Sequence, residues 1–194
     1  MANLDLIKKI REMTGAGMVD VQQALAEAKD NEEKAIELLR KKGQKIAAKR
    51  AERVTKEGYI ASYVHSNGKV AALVAVSCET DFVGRNEDFR AFVKELALQV
   101  AATAPQYLNP EDVPAAVIEK EKEIYREQLK AEGKPEAMWD KITEGKLQKF
   151  YSEVCLMKQI SIKDDTKTIE QLLTEQIAKI GENIKVVRFT YFTL

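Results

Sequence analysis

Candidate chemistry is concentrated in one segment of the chain, residues 78–86, which reads Cys-Glu-Thr-Asp-Phe-Val-Gly-Arg-Asn. Cys78 offers a thiol, which can act as a nucleophile when a base lies within hydrogen-bonding distance. Asp81 and Phe82 place a carboxylate beside a large aromatic ring, a combination suited to contact with another molecule. The segment therefore suggests either covalent chemistry at the thiol or non-covalent binding through the acid and the ring.

The elements on either side determine where Asp81 and Phe82 lie. The apolar run 70–76 predicts a buried strand, and Asn86 is a candidate N-cap for a helix that starts at Glu87. Asp81 and Phe82 are then on the connection between two rigid elements, a place where functional residues often lie. Phe82 is either an anchor folded back into this protein's own core or a wedge aimed at another molecule, and the residues alone leave both interpretations open.

A covalent mechanism at Cys78 would need a histidine nearby, and His65 is the only one in the chain. Asn67-Gly68 between two apolar runs predicts a tight hairpin in which His65 lies opposite Val70. Cys78 then lies further along the strand, about 27 Å away at about 3.4 Å per residue. This spacing excludes a Cys-His pair, and we interpret His65 as a sheet residue.

Motifs of other enzyme classes are missing from the sequence. It holds no P-loop, no zinc motif and no dinucleotide fingerprint. Its two cysteines, Cys78 and Cys155, have no metal-ligand spacing and form no disulfide framework. We therefore predict a protein that is not an enzyme, with no metal, no other cofactor and no small-molecule substrate.

The composition narrows the class of protein further. Of the 194 residues, 45% are hydrophobic and 32% are charged, with 31 basic and 31 acidic side chains. This balance argues against a dedicated nucleic-acid binder, which is usually clearly basic. The sequence has no apolar run of membrane-spanning length and no signal-peptide pattern at its N-terminus. We expect a soluble, cytoplasmic protein without nucleic-acid or membrane partners.

Residues 1–43 predict a bundle of three short helices, the second at about 19–28. Apolar side chains recur there at helical spacing. They are Leu4, Ile7, Ile10 and Met13, then Val21, Ala24, Leu25 and Ala28, then Ala35, Ile36 and Leu39. The bundle resembles ubiquitin-associated-type domains. Because so small a core is marginal alone, we expect the bundle to dock on something larger.

The ends of these helices are marked by turn and cap residues. Gly15 and Gly17 are interpreted as turn-forming residues after the first helix. Asp30 is a candidate N-cap of the third helix, with Glu33 completing a capping box, and Gly43 is a candidate stop.

Residues 44–57 follow as a basic linker. Clustered cations attract phosphate, so a nucleic-acid patch is one interpretation of this segment. No aromatic residue is interleaved with the cations, and the apolar residues between them suit a solvated helical connector. We therefore predict a connector. The cations are Lys45, Lys49, Arg50, Arg53 and Lys56.

Residues 58–194 predict an α/β core domain, which makes the whole chain α+β. We expect a three-stranded antiparallel sheet packed with helices. The predicted strands are 58–65, 69–78 and 184–192, and the predicted helices are 87–103, 115–132, 136–144, 146–155 and 168–180.

Two long motifs point to a family. The segment 6–20, Leu-Ile-Lys-Lys-Ile-Arg-Glu-Met-Thr-Gly-Ala-Gly-Met-Val-Asp, resembles the N-terminal signature of elongation factor Ts. The segment 79–86 resembles the second signature of that family. The segments 144–147 and 179–184 fit the same family in the right order.

The chain departs from the family pattern in a few places. Val19 and Val21 stand where a methionine and often a cysteine occur, and Gly84 replaces a usual alanine. The run 159–162, Gln-Ile-Ser-Ile, lacks the frequent Pro-Phe pair after the glutamine. These departures concern local packing and leave the resemblance intact.

The resemblance implies a guanine-nucleotide exchange factor for elongation factor Tu, a GTPase. In the family, residues matching Asp81 and Phe82 insert beside the nucleotide and magnesium site of the partner, with Thr80 and Val83 in the same contact. The implied activity releases GDP from the partner without any covalent step.

The resemblance also implies a docking role for the N-terminal bundle. Arg11, Met18 and Val19 would contact the nucleotide-binding domain of elongation factor Tu, and Gly17 would help to hold the turn that presents Met18. The residues alone leave another interpretation open, in which Met18 and Val19 fill the core of the bundle itself.

Oligomeric state is a further implication of the resemblance. Long family members carry two related core subdomains, whereas residues 58–194 have room for one. The chain is therefore similar to the short form, in which two chains pair through this dimerisation-type domain. The last strand, with Phe189, Tyr191 and Phe192, is a candidate edge for that pairing.

Two other classes of protein remain as alternatives. An adaptor of the ubiquitin-associated type would act through the N-terminal bundle and would need neither Asp81 nor Phe82. A nucleic-acid binder would act through residues 44–57 and would show a strong dependence on salt.

Overall fold

The computed structural model describes residues 4–194 and has an α+β fold. Its α-helices are α1 (Leu4–Thr14), α2 (Met18–Glu27), α3 (Glu32–Arg50), α4 (Asp81–Arg85), α5 (Glu87–Thr103), α6 (Ala115–Ala131), α7 (Trp139–Val154) and α8 (Ile169–Ile180). Its strands are β1 (Glu57–Val64), β2 (Val70–Cys78) and β3 (Ile184–Thr193). No helix in this part of the chain is long and apolar enough to cross a membrane.

The chain divides into two compact units. The first comprises the residues up to Ala61 together with Val74–Glu95 and Gln171–Val187. The second comprises Ser62–Leu73, Leu96–Glu170 and Arg188–Leu194. The residues that the sequence nominates for contact with the GTPase partner belong to the first unit.

Helices α1, α2 and α3 share a small apolar core, as the spacing of their apolar residues predicts. The buried members are Ile7, Ile10, Val21, Ala24, Leu25, Ala28, Ala35 and Leu39. Leu4 and Met13 belong to the predicted stripe of the first helix, but both side chains are exposed. Only the two middle positions of that stripe face the core.

The start of α3 differs from the prediction by one residue. Asn31, not Asp30, is the N-cap, because its Oδ1 atom accepts a hydrogen bond from the backbone N–H of Lys34 at 2.9 Å. Lys29 and Asp30 have φ angles of 53° and 59°. These left-handed residues turn the chain after α2, so Asp30 belongs to the turn and not to the cap.

Gly43 does not end the third helix, since α3 continues to Arg50. Gly43 is buried, and a Cβ atom added to it would lie 3.5 Å from the Cβ atom of Ala178. A glycine inside a helix is tolerated where close packing needs it. The basic linker is therefore helical as far as Arg50, and residues 51–56 form a turn and an irregular segment.

The three strands form one antiparallel sheet in the order β1-β2-β3, as predicted. The backbone N–H of His65 donates to the carbonyl oxygen of Val70 at 2.8 Å, which confirms the predicted hairpin register. At the same end of β2, the backbone N–H of Leu194, which follows β3, donates to the carbonyl oxygen of Lys69 at 3.1 Å. Strands β1 and β3 are the edges of the sheet.

Helix α5 matches its predicted range at both ends. It buries the five apolar residues that have helical spacing, Phe89, Phe92, Val93, Leu96 and Val100. The predicted helices 115–132 and 168–180 are confirmed within one residue at each end as α6 and α8. A regular 3.6-residue period over a long segment was a sufficient guide here.

The two short helices predicted at 136–144 and 146–155 are wrong, because a single helix, α7, covers most of this region. Gly145 lies inside α7, with no atom within 4 Å of a Cβ placed on it. A glycine costs a helix about 1 kcal/mol relative to alanine but does not break it. Thr143 and Leu147 are buried on the inner side, and their helical spacing continues through the glycine.

Candidate functional site

The connection between β2 and α5 that the sequence predicts is a one-turn helix, α4. Thr80 has extended backbone immediately before it, and Asn86 ends it. The Oδ1 atom of Asn86 accepts a hydrogen bond from the backbone N–H of Phe89 at 3.0 Å, so Asn86 caps α5 as predicted. Asp81 and Phe82 are therefore held in the first turn of a short helix with defined elements on both sides.

Phe82 points out of the protein, and 80% of its surface is exposed. Burying a phenylalanine side chain is worth about 1.5–3 kcal/mol, and this stabilisation is forgone while the ring stays in water. The structure therefore excludes the interpretation of Phe82 as an anchor in the core. The ring is available to a partner molecule.

Asp81 lies next to Phe82 and forms an ion pair with Arg85, with 3.1 Å between Oδ2 and Nη2. The two side chains are 46% and 76% exposed. Exposed pairs of this i,i+4 type contribute about 0.3–0.5 kcal/mol. The carboxylate of Asp81 can therefore exchange Arg85 for another partner at little cost.

Thr80 is fixed in place by Glu182, which follows α8. The hydroxyl of Thr80 donates to Oε1 of Glu182 at 2.7 Å, and its backbone N–H donates to Oε2 at 3.0 Å. The backbone N–H of Glu79 also donates to Oε2, at 3.2 Å. Val83, which completes the Thr80–Val83 segment, is half-buried.

Glu79 in turn accepts a hydrogen bond from Asn183, the residue after Glu182. Its Oε1 atom accepts the backbone N–H of Asn183 at 2.6 Å, and its Oε2 atom lies 3.3 Å from Nη1 of Arg53. The pKa of the Glu79 carboxyl is held below its ordinary value of 4.5, chiefly by the hydrogen bond from Asn183. Glu79 is therefore an ionised structural residue that links two distant parts of the first unit.

The far end of α4 is held by Arg90 from helix α5. Its Nε atom donates to the carbonyl oxygen of Gly84 at 2.9 Å. The guanidinium group also lies over the ring of Tyr59, 5.0 Å from the ring centre. The short helix is thus restrained at both ends while its outer side stays exposed.

Cys78 and His65 have separate surroundings that suit structural roles. Cys78 is fully buried, its Sγ atom donates to the carbonyl oxygen of Thr80 at 3.1 Å, and burial raises the pKa of the thiol to about 11. His65 is exposed, and its Nδ1 atom is 3.2 Å from the hydroxyl of Tyr63. A thiol with so high a pKa is a poor nucleophile.

A metal-binding arrangement is not found in the part of the chain that the structure describes. Residues 4–194 contain no group of three or more histidine, cysteine, aspartate or glutamate side chains placed to hold a metal ion.

The N-terminal residues nominated for docking lie on the surface. Arg11 is exposed, and Met18 and Val19 are 47% and 63% exposed. Gly15 adopts a left-handed φ of 67° at the end of α1, whereas Gly17 has an ordinary φ of −63° just before α2. Because Met18 and Val19 leave their side chains in solvent, they do not fill the core of the bundle.

Four residues that organise the site were not nominated from the sequence. They are Glu182, Asn183, Arg90 and Tyr59. A signal existed for the first two, because the segment 179–184 resembles a family motif, but the motif does not say what those residues contact. Only the folded structure brings Glu182, Asn183 and Arg90 to the segment 79–84, with Tyr59 against Arg90.

Comparison with known proteins gives one consistent result. The sequence profile of the family described as elongation factor TS matches residues 4–194. Elongation factor Ts of Thermotoga maritima (strain ATCC 43589 / DSM 3109 / JCM 10099 / NBRC 100826 / MSB8) is 55% identical over 192 residues, which cover 99% of this chain and 96% of the relative.

Relatives from two other organisms agree with this result. Elongation factor Ts of Thermosipho melanesiensis is 55% identical over 194 residues, covering 100% of this chain and 99% of the relative. That of Acetivibrio thermocellus is 50% identical over 192 residues, covering 99% and 89%. Identity at this level over nearly the whole length, together with both signature motifs, leads to one conclusion: this chain belongs to the elongation factor Ts family.

Proposed function

We propose that this protein is a translation elongation factor that acts as the guanine-nucleotide exchange factor of elongation factor Tu. The observation that carries the proposal is the position of Phe82, 80% exposed on a short helix that is restrained at both ends. A fixed and exposed aromatic ring is suited to insertion into a partner. Membership of the elongation factor Ts family supplies the identity of that partner.

The proposed mechanism is displacement of the groups that support the nucleotide and its magnesium ion. Phe82 buries its ring in the partner, and this burial is worth about 1.5–3 kcal/mol. Asp81 gives up its weak pair with Arg85 and competes for groups near the phosphates. Because Mg²⁺ bridges phosphate and protein oxygens, disturbing its surroundings weakens nucleotide binding.

Release by this route needs no covalent chemistry, so the proposed factor is not an enzyme. Each 1.4 kcal/mol of weakening lowers the affinity for GDP about tenfold. Linkage requires that the nucleotide weakens binding of the factor by the same ratio. The nucleotide pool therefore sets the direction of exchange. We also propose that the reaction takes place in the cytoplasm.

The N-terminal helices serve as the docking arm in this proposal. Their arrangement supports a resemblance to ubiquitin-associated domains, and the exposed side chains of Arg11, Met18 and Val19 are available for contact with the nucleotide-binding domain of the partner. Docking would bring the Thr80–Val83 segment repeatedly to the same place on elongation factor Tu.

The experiment is release of a fluorescent GDP analogue from elongation factor Tu, with and without this protein. We expect acceleration by the wild-type protein and an about ten- to hundredfold smaller effect with Phe82→Ala, from the burial free energy of the ring. Ile162→Ala, which truncates another exposed apolar side chain, is the matched control and should act like the wild type. If the wild-type protein leaves the release rate unchanged, the proposed function is wrong.

Asp81→Ala and Phe82→Ala also separate the mechanism from the alternatives. If both variants act like the wild type in a protein that does accelerate release, the insertion mechanism is wrong although the exchange function stands. An adaptor of the ubiquitin-associated type or a nucleic-acid binder would produce no acceleration at all.

We also propose that two copies of the chain pair through the core domain. Strand β3 is an edge of the sheet, and the aromatic rings near its end include Phe192, which is 57% exposed. An edge strand with exposed apolar side chains favours pairing with another strand. Sedimentation at micromolar concentration without elongation factor Tu tests this, and a monomeric mass would contradict it.

A further inference from the structure

We infer that Glu182 is a positioning residue for the Thr80–Val83 segment, and that it sets the exchange rate by fixing the direction of Phe82. The inference rests on the proposed exchange function. It adds to that function a residue 102 positions away from Thr80 in the chain, which belongs to neither of the two long motifs.

Both oxygens of the Glu182 carboxylate are used at the beginning of α4. One accepts the hydroxyl of Thr80 at 2.7 Å, and the other accepts two successive backbone N–H groups, those of Glu79 and Thr80, at 3.2 and 3.0 Å. Hydrogen bonds to an ionised acceptor are about twice as strong as neutral ones. The backbone just before Asp81 is therefore held by three bonds to one side chain.

A helix as short as α4 needs such an external restraint. It has five residues, and helices of this length are not stable by themselves because nucleation is costly. The ion pair between Asp81 and Arg85 is exposed and weak. Without Glu182, little on the outer side of α4 would keep Phe82 in one orientation.

Contacts beyond Glu182 keep its own position fixed. The backbone N–H of the next residue, Asn183, donates to Glu79 at 2.6 Å, so the two chain segments hold each other reciprocally. Asn183 is 2% exposed, and its amide donates to the carbonyl oxygens of Arg53 and Ala51 at 2.7 and 3.3 Å. The carboxylate of Glu182 is thus supported by a neighbour that is buried and hydrogen-bonded through its backbone N–H and its side-chain amide.

The C-terminal end of α4 is held by a different residue. Glu182 therefore controls the N-terminal end, which is the end nearest Phe82. Arg90 holds the C-terminal end through its hydrogen bond to the carbonyl oxygen of Gly84. Phe82 is only two residues from Thr80, whose backbone and hydroxyl both contact Glu182. Loss of the carboxylate should therefore let Phe82 move while the rest of α4 stays attached.

The test is a series of variants measured for maximal GDP release and for the concentration that gives half of it. Glu182→Ala removes all three bonds, and a misplacement of about 1 Å in a catalytic arrangement can cost up to about a hundredfold. We expect the maximal rate to fall about tenfold or more. The half-saturating concentration should change much less, because docking through α1 and α2 is intact.

Glu182→Gln is the conservative rescue. The amide oxygen can accept both backbone N–H groups, and the amide nitrogen can donate to the hydroxyl of Thr80. We expect this variant to keep most of the wild-type rate. Glu119→Ala, which removes an exposed carboxylate on α6, is the matched control and should have no effect.

A double variant distinguishes positioning from a general structural role. If Glu182 acts through Phe82, adding Glu182→Ala to Phe82→Ala should cause little further loss, whereas independent effects would add. Full additivity would overturn the inference. So would a maximal rate for Glu182→Ala equal to that of the wild type.

Folding and function can be told apart in the same experiments. If Glu182→Ala does not fold, Glu182→Asp replaces it, because the shorter side chain keeps the charge but cannot reach all three donors. An unchanged maximal rate for that variant would then overturn the inference. Failure of the wild-type protein to release GDP would instead contradict the proposed function itself.

Discussion

A Cβ atom placed on Gly84 would lie 3.1 Å from the carbonyl oxygen of Gly58. Gly58 itself has no room for a side chain, because its own Cβ would lie 2.2 Å from the carbonyl oxygen of Val76. Helix α4 thus lies directly on backbone at the beginning of the β1-β2 ladder. These two glycines allow the backbone of α4, the helix that carries Phe82, to lie this close to the sheet.

We predict that Gly58→Ala destabilises the protein by about 1–3 kcal/mol, the usual cost of forcing extra atoms into a packed site. The melting temperature should fall by about 2–4 °C for each kcal/mol in a chain of this length. Gly145→Ala is the matched control: its Cβ meets nothing within 4 Å inside α7, so the change should stabilise the helix by up to about 1 kcal/mol. Thermal unfolding of both variants is the measurement, and equal melting temperatures would contradict the close approach at Gly58.

The docking role of α2 predicts a change in affinity without a change in maximal rate. Val19 is 63% exposed, so Val19→Asp should leave the fold intact but should place an uncompensated charge in the interface. We expect the half-saturating concentration in the GDP release assay to rise about tenfold, equivalent to about 1.4 kcal/mol. Val54→Asp makes the same change at a valine that is 69% exposed and should have no effect. A fall in maximal rate alone would assign Val19 to the exchange step instead of docking.

The two cysteines should be unreactive in the folded protein. Both side chains are fully buried, and burial raises the pKa of each thiol to about 11. At pH 8 the thiolate, which is the reactive form, is therefore a very small fraction. We expect a thiol reagent to modify Cys78 and Cys155 only after unfolding in guanidinium, where both should react. Rapid modification of the native protein at pH 8 would reopen the question of a nucleophilic thiol.

Local patterns in the sequence predicted the elements with a strong period or a specific turn. The hairpin register follows from Asn67-Gly68, and helix α5 follows from apolar residues spaced as a helix requires. Local signals were weaker at the ends of helices and at glycines within them. This explains the wrong predictions of a cap at Asp30, a helix stop at Gly43 and a helix break at Gly145. In each of these cases packing or an adjacent residue decided the conformation.

Only the part of the site that lies in one continuous segment was predicted from the sequence. Asp81 and Phe82 stand out because an acid and an aromatic ring occur between a strand and a helix. The contact of Glu182 with Thr80 joins residues 102 positions apart, and no local period or cap signals such a contact. The exposure of Phe82 likewise depends on the direction of α4, which these long-range contacts determine.

A buried amide pair in the second unit gives a stability prediction next to one of the departures from the family pattern. Gln159 is 4% exposed, and its Oε1 atom accepts from Gln99 at 3.2 Å and from the hydroxyl of Thr103 at 2.7 Å. Gln159→Leu would remove one of the hydrogen-bond acceptors of the Nε2 atom of Gln99, which is buried. We expect a loss of about 1–3 kcal/mol in the free energy of unfolding by urea. Gln148→Leu, at an exposed position of α7, is the control and should change it little.

Acid should weaken the link between Glu79 and the residues that follow α8. The pKa of Glu79 is lowered in the folded protein from its ordinary value of 4.5, chiefly by the hydrogen bond from the backbone N–H of Asn183 and further by Arg53. Folding therefore favours the ionised form, and its contribution to stability is fully present above pH 4.5. As the pH falls below that value, the unfolded chain takes up the proton first and the contribution is progressively lost.

The corresponding measurement is the free energy of unfolding as a function of pH, for the wild type and for Glu79→Gln. The variant has no proton to take up at this position, so it should be less stable than the wild type at pH 7 and should lose less stability between pH 5 and pH 3. The two curves should therefore converge in acid. Parallel curves over this range would show that Glu79 does not hold Asn183 as an ionised acceptor. The bonds from Glu79 and Thr80 to Glu182 would then be the only verified part of the reciprocal contact between the two segments.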